Sequence, residues 1–139
     1  MKIPLIVAAT AALTVGPALA ADGPRATLLD MLAARAAKET PGFSGFSAER
    51  GRALYLGPHA GGKAEANACA VCHTQTPTAT GRHYKTGRDI PPMAVSVNAK
   101  RFTDPAEVEK RFERDCPNVL GRVCTAQEKG DFITYLSGQ

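Results

Sequence analysis

Tryptophan is absent from this chain of 139 residues, and aromatic residues make up only 6% of it. The formal net charge is only +4 at pH 7, and no basic run carries interleaved aromatic residues, so we expect no nucleic-acid partner. No alternating apolar pattern predicts a convincing strand, and nothing after the first 20 residues approaches the length of a membrane-spanning helix. A Ser-His-Asp set, a phosphate loop and a paired-carboxylate site are also missing, so the sequence does not predict an enzyme.

Residues 1–20 predict a secretory signal peptide. Lys2 gives a positive start, an apolar stretch runs to Leu19, and Ala18-Leu19-Ala20 is a small-x-small cleavage site. Proline and glycine interrupt the stretch, so its continuous apolar part is shorter than the roughly 20 residues that a spanning helix needs. We therefore predict cleavage near Ala20, a periplasmic location and no stable membrane insertion after cleavage.

The most informative motif is Cys69-Ala70-Val71-Cys72-His73. The C-x-x-C-H pattern is the attachment signature of c-type haem, in which both sulfurs bond the porphyrin and the adjacent histidine binds the iron. A thioredoxin-type redox pair is a rival interpretation, but such a pair should follow a strand, whereas the preceding Gly61-Gly62 indicates a loop. Half of a zinc site is another rival, but it needs a second close-spaced pair of ligands. We predict one covalent haem c on Cys69 and Cys72, with His73 as the proximal iron ligand.

Helix signals dominate the rest of the chain. A first helix is predicted to begin near Gly23-Pro24 and to end before Pro41-Gly42, within an N-terminal extension over residues 21–46. A second helix, capped by Ser47, is predicted to cross the last helix, so that Gly51 and Tyr55 meet the aromatic residues of the C-terminal segment. Asp104 and Thr125 are predicted to cap the last two helices, the second through a capping box. Residues 74–100 are predicted to be largely irregular and to cover the second face of the haem.

Cys116 and Cys124 remain after haem attachment, and they are eight residues apart. Outside the cytoplasm such a pair can oxidise. Closing this short loop stabilises the fold by roughly 2.5 kcal/mol in the chain-entropy estimate. We predict a disulfide that fixes the turn between the last two helices.

Several separated motifs recur in order in a known family. They are Gly87-Arg88-Asp89-Ile90-Pro91-Pro92-Met93-Ala94, Lys100-Arg101-Phe102-Thr103-Asp104 and the spaced pair Cys116 and Cys124, all downstream of C-x-x-C-H. Over roughly residues 48–136 the chain resembles the small exported monohaem cytochromes that include the sphaeroides haem protein and cytochrome c-double-prime. The resemblance implies an all-α, class I cytochrome c fold over residues 47–139, with an extra disulfide and a sixth haem ligand that can leave the iron on reduction.

The sixth ligand is where this chain departs from that family. The relatives carry Asn or His immediately before the first disulfide cysteine, and here the position is Asp115. Asp115 is therefore the first distal candidate, with a surface or capping acid as the competing interpretation, and an anionic oxygen ligand should be held weakly once the iron is ferrous. Met93 is the alternative, since thioether ligation is common in class I cytochromes, although core packing is the competing interpretation. His59 and His83 lie in polar, glycine-bearing stretches and are predicted to be solvated loop residues.

Four basic residues lie in the segment predicted to cover the haem, and arginine suits carboxylates geometrically. We predict that one or more of them pairs with the haem propionates, with Arg101 as the candidate; the other members of this set are Lys85, Arg88 and Lys100. A solvated basic loop is the alternative for each of them.

The sequence thus predicts a periplasmic, monomeric one-electron carrier that meets other cytochromes as redox partners and has a weak or exchangeable distal ligand. The alternative function is binding or slow reduction of a small diatomic ligand such as O2 or NO at an open haem site.

Overall fold

The computed structural model describes residues 23–139, so the predicted signal peptide and the first two residues of the extension lie outside the described residues. Within that range the chain is predominantly helical. In chain order, its elements are α1 (Gly23–Glu39), α2 (Ala48–Leu56), a 3-10 turn (Ala64–Ala66), α3 (Cys69–His73), β1 (Gly81–Arg82), β2 (Asp89–Ile90), α4 (Pro105–Leu120) and α5 (Ala126–Ser137).

The helices begin where the capping residues of the sequence predict. Ser47 and Asp104 accept hydrogen bonds from backbone N–H groups in the first turns of α2 and α4. Thr125 and Glu128 form the reciprocal capping box at the start of α5. All three starts confirm the sequence prediction, because a cap needs only residues that are close in the chain.

The crossing of α2 over α5 forms the centre of the core. A Cβ atom added to Gly51 would lie 1.9 Å from the carbonyl oxygen of Asp131, so the two helices touch backbone to backbone. One turn further on, the Tyr55 ring packs against Phe132 and Tyr135, with ring centroids 5.9 and 5.7 Å away. This crossing confirms the prediction made from Gly51 and Tyr55.

Helix α1 packs against α5 and is integrated with the rest of the molecule. Leu28, Leu32 and Ala36 are buried on one face of α1. At the C-terminal end of α1, the Glu39 carboxylate accepts a 2.9 Å hydrogen bond from the backbone N–H of Ala126, at the start of α5. The boundary between an extension and a haem domain near residue 46 stays a prediction, but α1 shares one core with the helices of the predicted haem domain.

A charged cluster links three of the helices. The Lys129 ammonium on α5 is almost fully buried and lies 2.6 Å from the Glu109 carboxylate of α4, which also lies 3.5 Å from Arg35 of α1. Lys129 also stands over the Phe112 ring, 5.8 Å from its centroid. We call α1, α2, α4 and α5 together the helical frame.

Residues 74–103 form what we call the covering segment. It is irregular apart from β1 and β2, which pair antiparallel with Gly81 opposite Ile90 and Arg82 opposite Asp89. The sequence does not predict this pair, because strands of two residues show no alternating pattern. The all-α, class I assignment is confirmed, since the only strands among residues 23–139 are these two.

The predicted disulfide between Cys116 and Cys124 is present and joins the C-terminal half of α4 to the turn just before α5. Gly121, at φ +73°, ends α4 in the left-handed region, where glycine is favoured. Gly61 packs directly against Gly121, so the loop before the haem motif rests on this closed turn. No helix within residues 23–139 is both long and apolar enough to cross a membrane.

Candidate haem-binding site

The C-x-x-C-H motif forms the one-turn helix α3, which places its two cysteines three residues apart on one side. Both thiols are free. Burial, together with a smaller contribution from the negative charge of Asp115, raises the pKa of the Cys69 thiol to about 12. A loop and a 3-10 turn precede α3, and the described strands all come after it, so the strand of a thioredoxin-type site is missing from the described chain.

The imidazole of His73 is held neutral. Burial, together with a smaller contribution from the nearby positive charge of Arg101, lowers its pKa to about 4. Its Nδ1 atom is buried and has no hydrogen-bond partner. A neutral imidazole is the form that binds metals, so the ring of His73 is suited to an iron ligand.

Tyr55 holds the end of the motif in place. Its hydroxyl lies 2.8 Å from the carbonyl oxygens of both His73 and Thr74 and donates to them, so the two share its single proton. Burial raises the pKa of Tyr55 well above its usual value, which keeps the hydroxyl protonated. Thr74 needs this support because its φ of +63° is strained for a residue with a side chain.

Two residues that support the haem motif, Tyr55 and Gly81, are not predicted as site residues by the sequence. Tyr55 was assigned to helix packing alone, and nothing in the local sequence shows which carbonyls its hydroxyl reaches. Gly81 was assigned to a loop, yet an added Cβ there would lie 2.2 Å from the Cys72 carbonyl oxygen. At Gly81 the covering segment therefore returns to α3 and packs against its backbone.

Asp115 lies near the motif. Its charge raises the pKa values of both Cys69 and His73, although burial is the larger influence on each. Its carboxylate is engaged by Arg114, whose Nε and Nη2 atoms lie 2.6 and 2.9 Å from the two oxygens. The Asp115 side chain is 47% exposed. The first distal candidate is thus close to the motif but is bound to another partner.

Met93, the alternative candidate, lies in the core with 7% of its surface exposed. Its backbone N–H donates to the carbonyl oxygen of Pro77 at 2.9 Å. His59 and His83 are engaged locally: the His59 Nε2 lies 2.8 Å from the Leu54 carbonyl oxygen, and the His83 ring accepts from backbone N–H groups in its own turn.

Arg101 differs from the other predicted propionate partners. Its guanidinium is half-buried, and it donates to the carbonyl oxygens of Pro91 and Pro92 through Nη2 and Nε. Burial lowers the pKa of this guanidinium, which still carries its charge. The other three residues, Lys85, Arg88 and Lys100, are exposed. Of the four predicted propionate partners, Arg101 is therefore the one that is half-buried and held in place by hydrogen bonds.

The residues present fit a covalently attached haem. Two free thiols share one side of α3, and the neighbouring imidazole is neutral, with a buried nitrogen that has no partner. A helical domain with this donor set defines a class of protein, the small monohaem c-type cytochromes.

The comparisons with known proteins identify the family. Residues 41–136 match the family described as a domain of unknown function, DUF1924. The chain is 41% identical over 128 residues to the cytochrome c-type protein SHP of Cereibacter sphaeroides, covering 92% of this chain and 94% of that protein. It is 49% identical over 69 residues to cytochrome c'' of Methylophilus methylotrophus, covering 50% of this chain and 48% of that protein.

Solved structures agree with this assignment. The structure of oxidised SHP, which is described as an oxygen-binding cytochrome c, superposes with a TM-score of 0.75 at 40% identity, over 84% of this chain and 96% of that one. Oxidised cytochrome c'' superposes with a TM-score of 0.72 at 33% identity, over 85% and 96% of the two chains. The chain belongs to the DUF1924 family and is a monohaem cytochrome with one covalent haem c.

Proposed function

We propose that Cys69 and Cys72 carry the haem through thioether bonds and that His73 is the proximal iron ligand. The observation that carries this proposal is the neutral His73 imidazole, with its partnerless Nδ1 atom, beside two free thiols on one turn of helix. The haem supplies one-electron redox chemistry when bound. Tyr55 keeps the His73 peptide in position, and Arg101 lies nearby as the partner proposed for the propionates.

We propose that the protein is a periplasmic one-electron carrier and not an enzyme. Val71, between the two cysteines, is 44% exposed, so α3 itself lies at the surface, where a partner can approach. Other cytochromes are the proposed partners. Among residues 23–139, no cluster of three or more metal-binding side chains adds a second redox or hydrolytic centre.

We propose that the distal ligand is weak, with Asp115 as the first candidate and Met93 as the alternative. Two observations support weak ligation by Asp115: its carboxylate is engaged by Arg114, and its side chain is half-exposed to water. Met93 is less suited, because it packs in the core and its backbone is fixed to Pro77.

A second candidate function is binding, or slow reduction, of a small diatomic ligand at the distal side. A specific observation favours it: the relative SHP is described as an oxygen-binding cytochrome c. The Asp115 carboxylate is engaged by Arg114, and this supports the same function, since a carboxylate with another partner competes less with a diatomic ligand for the iron.

The test begins with export of the full chain in a host that matures c-type cytochromes. The mass of the purified protein should exceed that of its polypeptide by one haem, and Cys69→Ala and Cys72→Ala should each lose one thioether bond. N-terminal sequencing should begin at Ala21, and gel filtration should show a monomer. A colourless product with the mass of the polypeptide alone would refute the attachment proposal.

Spectra then separate the two functions. A reduced protein that binds carbon monoxide rapidly favours the diatomic-ligand function, and a stable six-coordinate reduced protein favours the carrier. Asp115→Ala should change the spectrum of the oxidised protein, whereas Glu113→Ala, an exposed carboxylate on the same helix, should not. A near-infrared sulfur-to-iron band in the oxidised protein would establish Met93 as the distal ligand and rule out Asp115.

A further inference from the structure

Arg25, on the first helix, reaches across to the covering segment. It is only 4% exposed. Its Nη2 atom donates to the carbonyl oxygens of Ala99 and Arg101, at 2.8 and 3.0 Å, and its Nε atom also donates to Arg101, at 3.1 Å. Bonds from a buried cation to backbone carbonyls are among the stronger hydrogen bonds in proteins. They span 74 to 76 residues of sequence, so they fix one segment to another.

The loop that Arg25 holds is strained at its next residue. Phe102 has a φ of +60°, which a residue with a side chain rarely adopts. Its ring is buried and packs edge to face with Phe132 of α5, with centroids 6.2 Å apart. A conformation of this kind persists only where the surroundings enforce it. Arg25 holds the loop from one side, and the buried ring of Phe102 anchors it from the other.

The same loop controls the side chain of Arg101. With its carbonyl held by Arg25, Arg101 directs its guanidinium to the carbonyl oxygens of Pro91 and Pro92. Asn98 reinforces this arrangement by donating from its side-chain amide to Pro92 at 3.2 Å. A continuous set of hydrogen bonds therefore runs from α1 through residues 98–101 to the residues just before Met93.

We propose that Arg25 is a positioning residue for Arg101, through which α1 fixes a positive charge beside the haem. The inference rests on the proposed attachment of the haem at α3. A fixed positive charge near the iron favours the reduced state, because that state carries one positive charge fewer. Loss of the hydrogen bonds from Arg25 to the carbonyls of Ala99 and Arg101 should let the Arg101 guanidinium move towards solvent. The reduction potential should therefore fall.

The test uses Arg25→Lys in the haem-loaded protein. Lysine keeps the charge, but it lacks the planar fork that reaches two carbonyls at once. Arg35→Lys is the matched control, because Arg35 lies on the same helix and its side chain is half-exposed. Arg101→Gln and the double variant Arg25→Lys/Arg101→Gln complete a double-mutant cycle of reduction potentials.

We expect Arg25→Lys and Arg101→Gln each to lower the reduction potential, and the double variant to match Arg101→Gln. Arg35→Lys should leave the potential unchanged. Amide hydrogen exchange in residues 98–102 should become about tenfold faster in Arg25→Lys, the effect of losing one charged hydrogen bond. If Arg25→Lys does not accumulate as holoprotein, Arg25→Gln replaces it in the same cycle, and Arg35→Gln, which removes an equal charge from the same helix, replaces Arg35→Lys as the control.

Two results would overturn the proposal. One is faster exchange with an unchanged potential, which would make Arg25 purely structural; the other is an equal shift of potential in the presence and absence of the Arg101 side chain. Failure of the attachment proposal gives a different result, because the protein would then lack the added mass of the haem in every variant.

Discussion

The helical frame and the covering segment are held together by different kinds of interaction. The frame relies mainly on close packing between helices, seen in the backbone contact at Gly51 and in the rings of Tyr55 and Phe132. The covering segment relies on bonds to its own backbone carbonyls, such as those that Arg25 and Arg101 donate. We therefore expect changes in the frame to affect mainly the stability of the fold, and changes in the covering segment to affect mainly the surroundings of the haem.

The difference arises from the groups that each region can bury. Helices satisfy their own backbone groups, so their contacts are free to be apolar. An irregular segment leaves carbonyls without partners, and each of those that are buried needs a donor from elsewhere. Single side chains in the covering segment thus have defined structural tasks, and a change there should disturb the haem more than it disturbs the fold.

The largest effect is expected at the crossing of the frame. Gly51→Ala would place a Cβ atom 1.9 Å from the Asp131 carbonyl oxygen and 2.9 Å from the Tyr135 Cβ, so the helices must separate. We expect a loss of about 3 kcal/mol or more in the free energy of unfolding. Denaturant unfolding checks this value. Gly23→Ala is the control and should change the free energy of unfolding little, since within residues 23–139 no packing contact lies within 4 Å of the added Cβ atom.

A smaller loss is expected at the charged cluster of the frame. Glu109→Gln leaves the buried Lys129 ammonium without its anion. Because Glu109 is partly exposed, we expect a loss of about 1–2 kcal/mol at neutral pH. Glu113→Gln, at an exposed site on the same helix, is the control.

The effect of Glu109→Gln should depend on pH. Burial raises the pKa of Glu109, but Lys129 and Arg35 together lower it by more, so its value in the folded protein lies below the ordinary 4.5. The stabilisation is therefore complete above pH 4.5 and disappears as the pH falls through the lowered pKa. The gap between native protein and variant should close at acid pH; a gap that stays constant would mean that the ion pair does not stabilise the fold.

The Tyr55 hydroxyl links the helical frame to the start of the covering segment, and its removal should cause an intermediate loss of stability. Tyr55→Phe removes the hydrogen bond to the carbonyls of His73 and Thr74 but keeps the packing of the ring. We expect a loss of about 1 kcal/mol in the free energy of unfolding and a shift in the reduction potential. Tyr84→Phe, at an exposed position in the covering segment, should change neither. An unchanged potential in Tyr55→Phe would mean that the hydroxyl does not position the haem motif.

The smallest effect is expected at the charges of the covering segment. Arg82 and Asp89 lie 3.5 Å apart across β1 and β2, and both side chains are more than 70% exposed. Arg82→Gln should change the free energy of unfolding by less than about 0.5 kcal/mol. A loss above about 1 kcal/mol would contradict this account of the two regions, because a surface ion pair would then contribute substantially to holding the covering segment.

The sequence was most informative where neighbours in the chain decide the structure. The caps Ser47, Asp104 and Thr125 start their helices as predicted, because each cap bonds residues two or three positions ahead. The α2–α5 crossing was also predictable, since only a glycine such as Gly51 permits so close an approach. Local spacing alone could not indicate the pairing of β1 with β2, or which donor the carbonyl of Arg101 would meet.

The sequence by itself determined the haem motif, the disulfide pair and the helices, because these features depend on residue type at fixed spacing. Only the tertiary structure decided that α1 docks through Arg25, that Tyr55 supports Thr74, that Arg114 engages Asp115 and that Met93 enters the core. The physical reason is that every residue offers the same backbone carbonyl. A distant side chain binds whichever of these carbonyls the tertiary fold brings near it. The type of residue that carries the carbonyl does not determine this choice.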